Sequence, residues 1–272
     1  MATKKAEIVK QEAVPREVEK LPLQQGPVEG FENMEPGDME RPRLAVCQSL
    51  TPQRQKDDPS YIKGLSEGEF FNSITGENYG ASVRVTPLMF FKYRLRFKKA
   101  EKQERGGLLC QSQNGKVGVG DPGGDCSKCA LRLWGTHGEK PECTELYGFA
   151  SLIVPSEGDI RFDNLAVVSM KGANTRLAKS WLAMARMRQG EDKLPLPMWR
   201  GIYDLVSVKK TFPLGSAYMI VPKNAGAHKF GSPNAAICRT SYYMIKEMYD
   251  ANRLAVDMGD ERAIDADEIA AE

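Results

Sequence analysis

Histidine is scarce here: His137 and His228 are the two in 272 residues, and they lie far apart in the sequence. A Ser-His-Asp or Cys-His centre would need one of them beside a strained nucleophile turn, and no nucleophile-elbow sequence is present. No G-x-x-x-x-G-K-[ST] loop occurs, which excludes a P-loop ATPase. The Gly115–Gly120 run is too short for one. No stretch of 18 apolar residues exists, so no membrane-spanning helix is expected. Met1 to Glu7 carries no apolar core of a secretory signal, and no internal repeat is visible. Catalysis is therefore not expected, and neither is a membrane partner.

What is present is unevenly placed. Four of the six cysteines fall between Cys110 and Cys143. Fifteen residues separate Cys110 from Cys126-Ser127-Lys128-Cys129, and thirteen more lead to Cys143. A two-residue gap lets Cys126 and Cys129 reach one ion from a tight turn, and Cys110 and Cys143 can complete a tetrahedron of thiolates around Zn²⁺. The Gly-rich loop between them has no core of its own and loses much backbone entropy on ordering, so something must tie it down. Free thiols and a redox CxxC are the rival readings, although the flanks do not look like a βαβ unit. His137 could replace Cys110 or Cys143. His137-Gly138-Glu139 also matches the H-x-E of zinc deaminases. There the paired cysteines follow in P-C-x-x-C, whereas Cys126 and Cys129 precede it and have no adjacent proline. Clustered thiols with metal spacing fit a reducing cytoplasm.

The net charge of +2 conceals an asymmetry. Residues 1–43 carry net −2, residues 247–272 net −7, and residues 44–246 net +11. A basic body with an acidic tail points to a polyanionic partner and a tail that competes with it. A solvated helix end is the simpler reading of the tail.

Residues 1–40, with four prolines and little periodicity, are expected to be disordered or loosely attached. Order is expected from Arg43. Residues 41–246 form the folded core and 247–272 the end of a last helix plus the acidic tail. Turns are expected at 57–60 and 76–80. Residues 81–98 alternate in period two, as a strand pair or one long strand bent at Pro87. Strands follow at 146–154 and 166–170, then a helix from a cap at Asn174 or Thr175 to about Arg188. A hairpin spans Ile202 to Val221, and a last helix runs from Ser241 to about Met258. Three strands, a helix and two more strands give an α+β, mainly β class. That order fits an OB-fold-like barrel with a four-cysteine zinc-loop insertion, one internal helix and a C-terminal helix.

Aromatic and basic residues interleave on the strands. Positive charges follow a phosphate backbone and ring faces stack on unpaired bases, so Arg84, Phe90, Phe91, Lys92, Arg94 and Arg96 form one candidate contact row. Trp199, Arg200, Tyr203, Lys209, Lys210 and Phe212 form a second, and Lys229 belongs to a third with Lys223, His228 and Phe230. Burial of Tyr93 and Phe97 is the simpler reading of those two rings. Phe90 and Phe91 are adjacent and cannot both face one core, so one is expected outside.

Arg41 to Pro52, Phe70 to Gly76, the cysteines that follow, and Ser169 to Asn174 with its following helix resemble bacteriophage proteins of replication and recombination, over residues 41–222. More broadly the chain resembles phage single-stranded DNA-binding proteins. That resemblance implies an OB-fold, a zinc-bearing insertion, binding to single strands (DNA over RNA) and an acidic tail that recruits replication or recombination proteins. The tail departs from the pattern by ending Ile269-Ala270-Ala271-Glu272 without an aromatic. Rival readings are a structural or adaptor protein of a phage particle, whose zinc loop serves protein contacts, and a duplex-DNA regulator. No helix carries the dense basic row that a major-groove reader needs.

Overall fold

Alternation and bulging together explain the longest element of the chain. The computed structural model describes residues 42–98, 107–190, 193–213 and 215–251. The expectations for residues 1–40 and for the tail beyond 251 lie outside them. The described residues belong to one unit, Pro36–Glu272. A small antiparallel sheet comes first, from β1 (Leu44–Val46), β2 (Phe70–Asn72) and β3 (Asn78–Gly80). The turn expected at 76–80 is therefore largely strand. β4 (Ser82–Phe97) follows as one strand of 16 residues. At about 3.3 Å per residue it spans roughly 53 Å, too long to stay flat.

Its pairing shifts between Pro87 and Met89, the bulge that the proline marks. One extra residue exchanges the faces. Val83 and Val85 face one core, whereas Phe91, Tyr93 and Leu95 face a second core on the opposite side. Phe90 continues the first face, against Tyr147 and Phe149. Both phenylalanines are thus packed, and the expectation that one would be exposed is corrected: the sheet is covered on both faces.

β5 (Leu108–Ser112), β6 (Val117–Gly120) and β7 (Gly124–Asp125) build the cysteine region, so it is not a bare loop. β8 (Cys143–Ile153) and β9 (Leu165–Met170) are followed by α1 (Thr175–Met187). β10 (Gly201–Phe212) and β11 (Gly215–Ala227) form the hairpin, and α2 (Pro233–Asp250) ends the described fold. The main strand order is β9-β8-β4-β10-β11, with β5, β6 and β7 joined to the far end of β4.

α1 seals the first core through Trp181, whose ring stacks on Phe149 at 4.1 Å and meets Tyr203 edge-on. α2 seals the second through Cys238 and Ile245. Gly148 of β8 is glycine for a reason: a Cβ there would stand 2.6 Å from the Phe91 ring. α2 starts earlier than the periodicity suggested. Ser232 caps it by accepting from the Ala235 N–H, and Pro233 takes the first turn, where its missing donor costs nothing. Asn174, expected to cap α1, makes no cap bond; its Oδ1 accepts from the Ile220 N–H of β11 at 2.9 Å.

The sheet is open, and the expected closed barrel is corrected. In such a barrel β9 and β11 would meet. The segment before and after β1 holds both edges instead. Arg43 bridges Val167 of β9 in parallel, and the Val167 N–H donates to the Pro42 carbonyl. The Gln48 amide exchanges two hydrogen bonds with the Tyr218 backbone of β11, at 2.9 and 2.8 Å. Val167 on one edge and Tyr218 on the other thus find backbone or amide partners without a pairing of β9 with β11.

Candidate functional site

The cysteine region projects from the end of β4. Cross-strand register places Cys110 of β5 and Cys143 of β8 on either side of Arg96. Directly paired residues share a face, so both thiols lie on the side of Arg96. Asp125 Oδ1 accepts from the Ser127 N–H at 2.8 Å and shapes the turn that carries Cys126 and Cys129. All four cysteines line one small cavity, with Arg94, Arg96 and Arg132 in its wall. All four are free thiols. Among the described residues, no group of three or more His, Cys, Asp or Glu side chains is placed so that it could hold a metal ion. His137 is exposed and does not line the cavity. Burial pushes the Cys143 thiol up, against the hydrogen-bonding Arg94 guanidinium beside it.

The basic row of β4 is spoken for. Lys92 and Arg94 both pair with Glu145 of β8, and Lys92 also lies over the Tyr147 ring. Burial pushes the Glu145 carboxyl up, but the Lys92 and Arg94 contacts outweigh it and hold the group below its usual range. Arg96 bridges Glu142 and Asp121. Arg84 grips both oxygens of Asp204, at 2.7 and 3.1 Å, and holds that carboxyl below its usual range. Phe91 and Tyr203 are core, and Phe90 and Trp199 pack against it. The row that looks like a phosphate track in sequence is therefore largely a set of ion pairs and core rings.

Other cations keep open faces. β10 pairs with β4 only as far as Val206, so the tip of the β10–β11 hairpin projects beyond the sheet. Lys209 there lies 5.7 Å from the Tyr218 ring and Lys210 5.0 Å from the Phe212 ring. Neither lysine has a carboxylate partner among the described residues. Arg200 donates twice to the His228 carbonyl and lies 5.6 Å from Phe230, a ring 73% exposed, with exposed Lys229 next to it. His228 itself is buried, its Nε2 2.8 Å from Thr86 Oγ1, and burial lowers its pKa, with Arg200 adding to the effect. Two exposed residues of the cysteine region carry no periodic mark in the sequence: Leu133 and Trp134, the latter 65% exposed. Their sign is only position, directly after a CxxC turn and Arg132.

No helix among the described residues is long and apolar enough to cross a membrane. No curated protein and no solved structure matches the chain. A family model described as Pam3 phage gp34-like protein matches residues 10–252, most of the sequence, and the chain belongs to that bacteriophage family.

Proposed function

We propose that the protein binds single-stranded nucleic acid, DNA in preference to RNA, in phage replication or recombination, without catalysing a reaction. The observation that carries this reading is a set of rings standing beside cations: half-buried Phe212 with Lys210, half-buried Tyr218 with Lys209, and exposed Phe230 with Arg200. An unpaired base stacks on such a ring while the neighbouring cation meets its phosphate, and neither contact depends on sequence. Trp134, with Arg132 two residues away, offers a further stacking face. The strand order β9-β8-β4-β10-β11, with a helix between β9 and β10, supports reading the core as an open relative of the OB-fold. The net charge of +11 over residues 44–246 supports a polyanionic ligand. The acidic tail is then a competitor for the same surface and a docking segment for replication or recombination proteins in the host cytoplasm.

A labelled oligothymidylate and the matching duplex, titrated by anisotropy at two salt concentrations, test the reading. Tighter binding to the single strand, weakened steeply by salt, is expected. Equal affinity for both forms, or a flat salt response, overturns it. A second reading rests on Leu133 and Trp134: an exposed apolar pair on a small projection also suits a protein contact, as in an adaptor of the phage particle. Trp134→Ala separates the two, since it lowers oligothymidylate affinity only under the first.

A further inference from the structure

We propose that Cys110, Cys126, Cys129 and Cys143 hold a structural zinc ion that staples the region β5–β7 to the start of β8. The first ground is what the region lacks. Over residues 107–142 the buried positions are Ser112, Gly118 and Cys126, and no aliphatic or aromatic side chain among them is buried. Val117, Val119, Leu133 and Trp134 are all exposed. Hydrophobic burial, worth about 25 cal/mol per Å² of apolar area, has almost nothing to act on here. Yet the region holds three strands and a fixed register. Small units without a core rely on a disulfide or a metal, and these thiols are not bonded to each other.

The second ground is convergence. The four thiols come from three separate places, a strand, a turn and the start of β8, yet line one cavity. The other two cysteines behave differently. Cys47 and Cys238 sit in apolar clusters as packing groups. Gly118 sits where a Cβ would be 3.0 Å from the Cys110 sulfur, so the β5–β6 hairpin can close over that thiol.

The third ground is charge. Four thiolates around one divalent ion leave a doubly negative centre, which a non-polar cavity would resist. Arg94, Arg96 and Arg132 line this cavity, and the Arg94 guanidinium hydrogen-bonds the Cys143 thiol while also pairing with Glu145. Cys₄ ligation with no open position fits a structural rather than a catalytic ion. The four thiols line one cavity without being grouped as a metal centre, so binding would draw them onto the ion, each giving up its proton.

Full-length protein purified under reducing conditions without chelator should contain about one zinc per chain. Exchange of that metal for Co²⁺ should give thiolate charge-transfer and tetrahedral d–d absorption. Chelation should release the metal, expose all four thiols to a thiol reagent and open residues 107–142 to limited proteolysis. Cys126→Ser with Cys129→Ser should abolish metal content. Because that variant could fail to fold, the cobalt spectrum of the unaltered chain stands as the independent readout. Protein without zinc that also gives no cobalt–thiolate spectrum overturns the proposal. So does mass spectrometry that finds Cys126 and Cys129 joined as a disulfide in freshly isolated, unreduced protein.

Discussion

Replacing Lys209 and Lys210 by Gln should change how binding responds to salt, whereas replacing Arg94 and Arg96 should not. Each cation that meets a phosphate on a single strand contributes about 0.7 to the slope of log affinity against log salt. Lys209 and Lys210 are exposed on the projecting hairpin without carboxylate partners among the described residues, so the double variant should lose about 1.4 from the slope. Between 50 and 200 mM salt that is a differential loss of about sevenfold, larger at low salt. Arg94 and Arg96 are already neutralised by Glu145, Glu142 and Asp121. Their double Gln variant should keep the slope and instead lower the melting temperature, because Glu142 and Glu145 lose partners next to the cysteine cavity. Phe212→Ala should cost about 1–3 kcal/mol of affinity, roughly 5- to 150-fold, with no change in slope, because stacking releases no counterions. Anisotropy titrations of labelled oligothymidylate over four salt concentrations give slope and intercept together. A wild-type slope in the lysine variant, or an equal loss of slope in the arginine variant, would refute the assignment of the hairpin as the phosphate contact.

Gly148→Ala should destabilise the fold by about 1–3 kcal/mol through overpacking against Phe91, and Phe91→Leu in the same chain should recover part of that loss. Urea unfolding of the two single variants and the double measures the coupling, and simple additivity would contradict the contact. Burial, with Arg200 nearby, lowers the His228 pKa below its ordinary 6.5. The unfolded chain therefore binds the proton more readily, and His228 contributes stability that is full above pH 6.5 and lost as pH falls from there toward the folded pKa. His228→Gln should flatten that acid limb; an unchanged limb would assign it to other groups. Deletion of residues 259–272 removes six acidic residues and one basic one, and should tighten single-strand binding at low salt but not at high salt. An intact circular dichroism spectrum with no gain in affinity would end the self-competition idea.

Most of the strands and α1 are legible because each carries a simple period and a marked end. Tyr93 and Leu95 alternate inward, Trp181 and Ala185 recur at helical spacing, and Pro213 with Gly215 closes the hairpin. The bulge at Pro87 is legible as a bend but not as an exchange of faces, since one inserted residue leaves the pattern of apolar letters looking continuous. The open sheet is legible still less. Gln48 and Arg43, remote in sequence from β11 and β9, meet those edges instead. A side-chain amide paired with a distant backbone leaves no local signature.

Charge was the least transparent property. The run from Arg84 to Arg96 reads as a basic strip because its counter-charges lie on other strands: Asp204 on β10, Glu145 on β8 and Glu142 just before it. Cross-strand register decides that pairing, and register is a tertiary quantity. The cysteines behave in the opposite way. Two of them are linked by a two-residue gap, and the others flank a segment too poor in apolar residues to fold on burial alone, so their convergence on one cavity could be anticipated from spacing and composition. The proposed nucleic-acid surface must then be built from cations that the ion pairs leave over. Those sit on the hairpin tip and beside Phe230, away from the strand where the charge is densest. Affinity should accordingly track Lys209, Lys210 and Arg200 rather than the local density of positive charge.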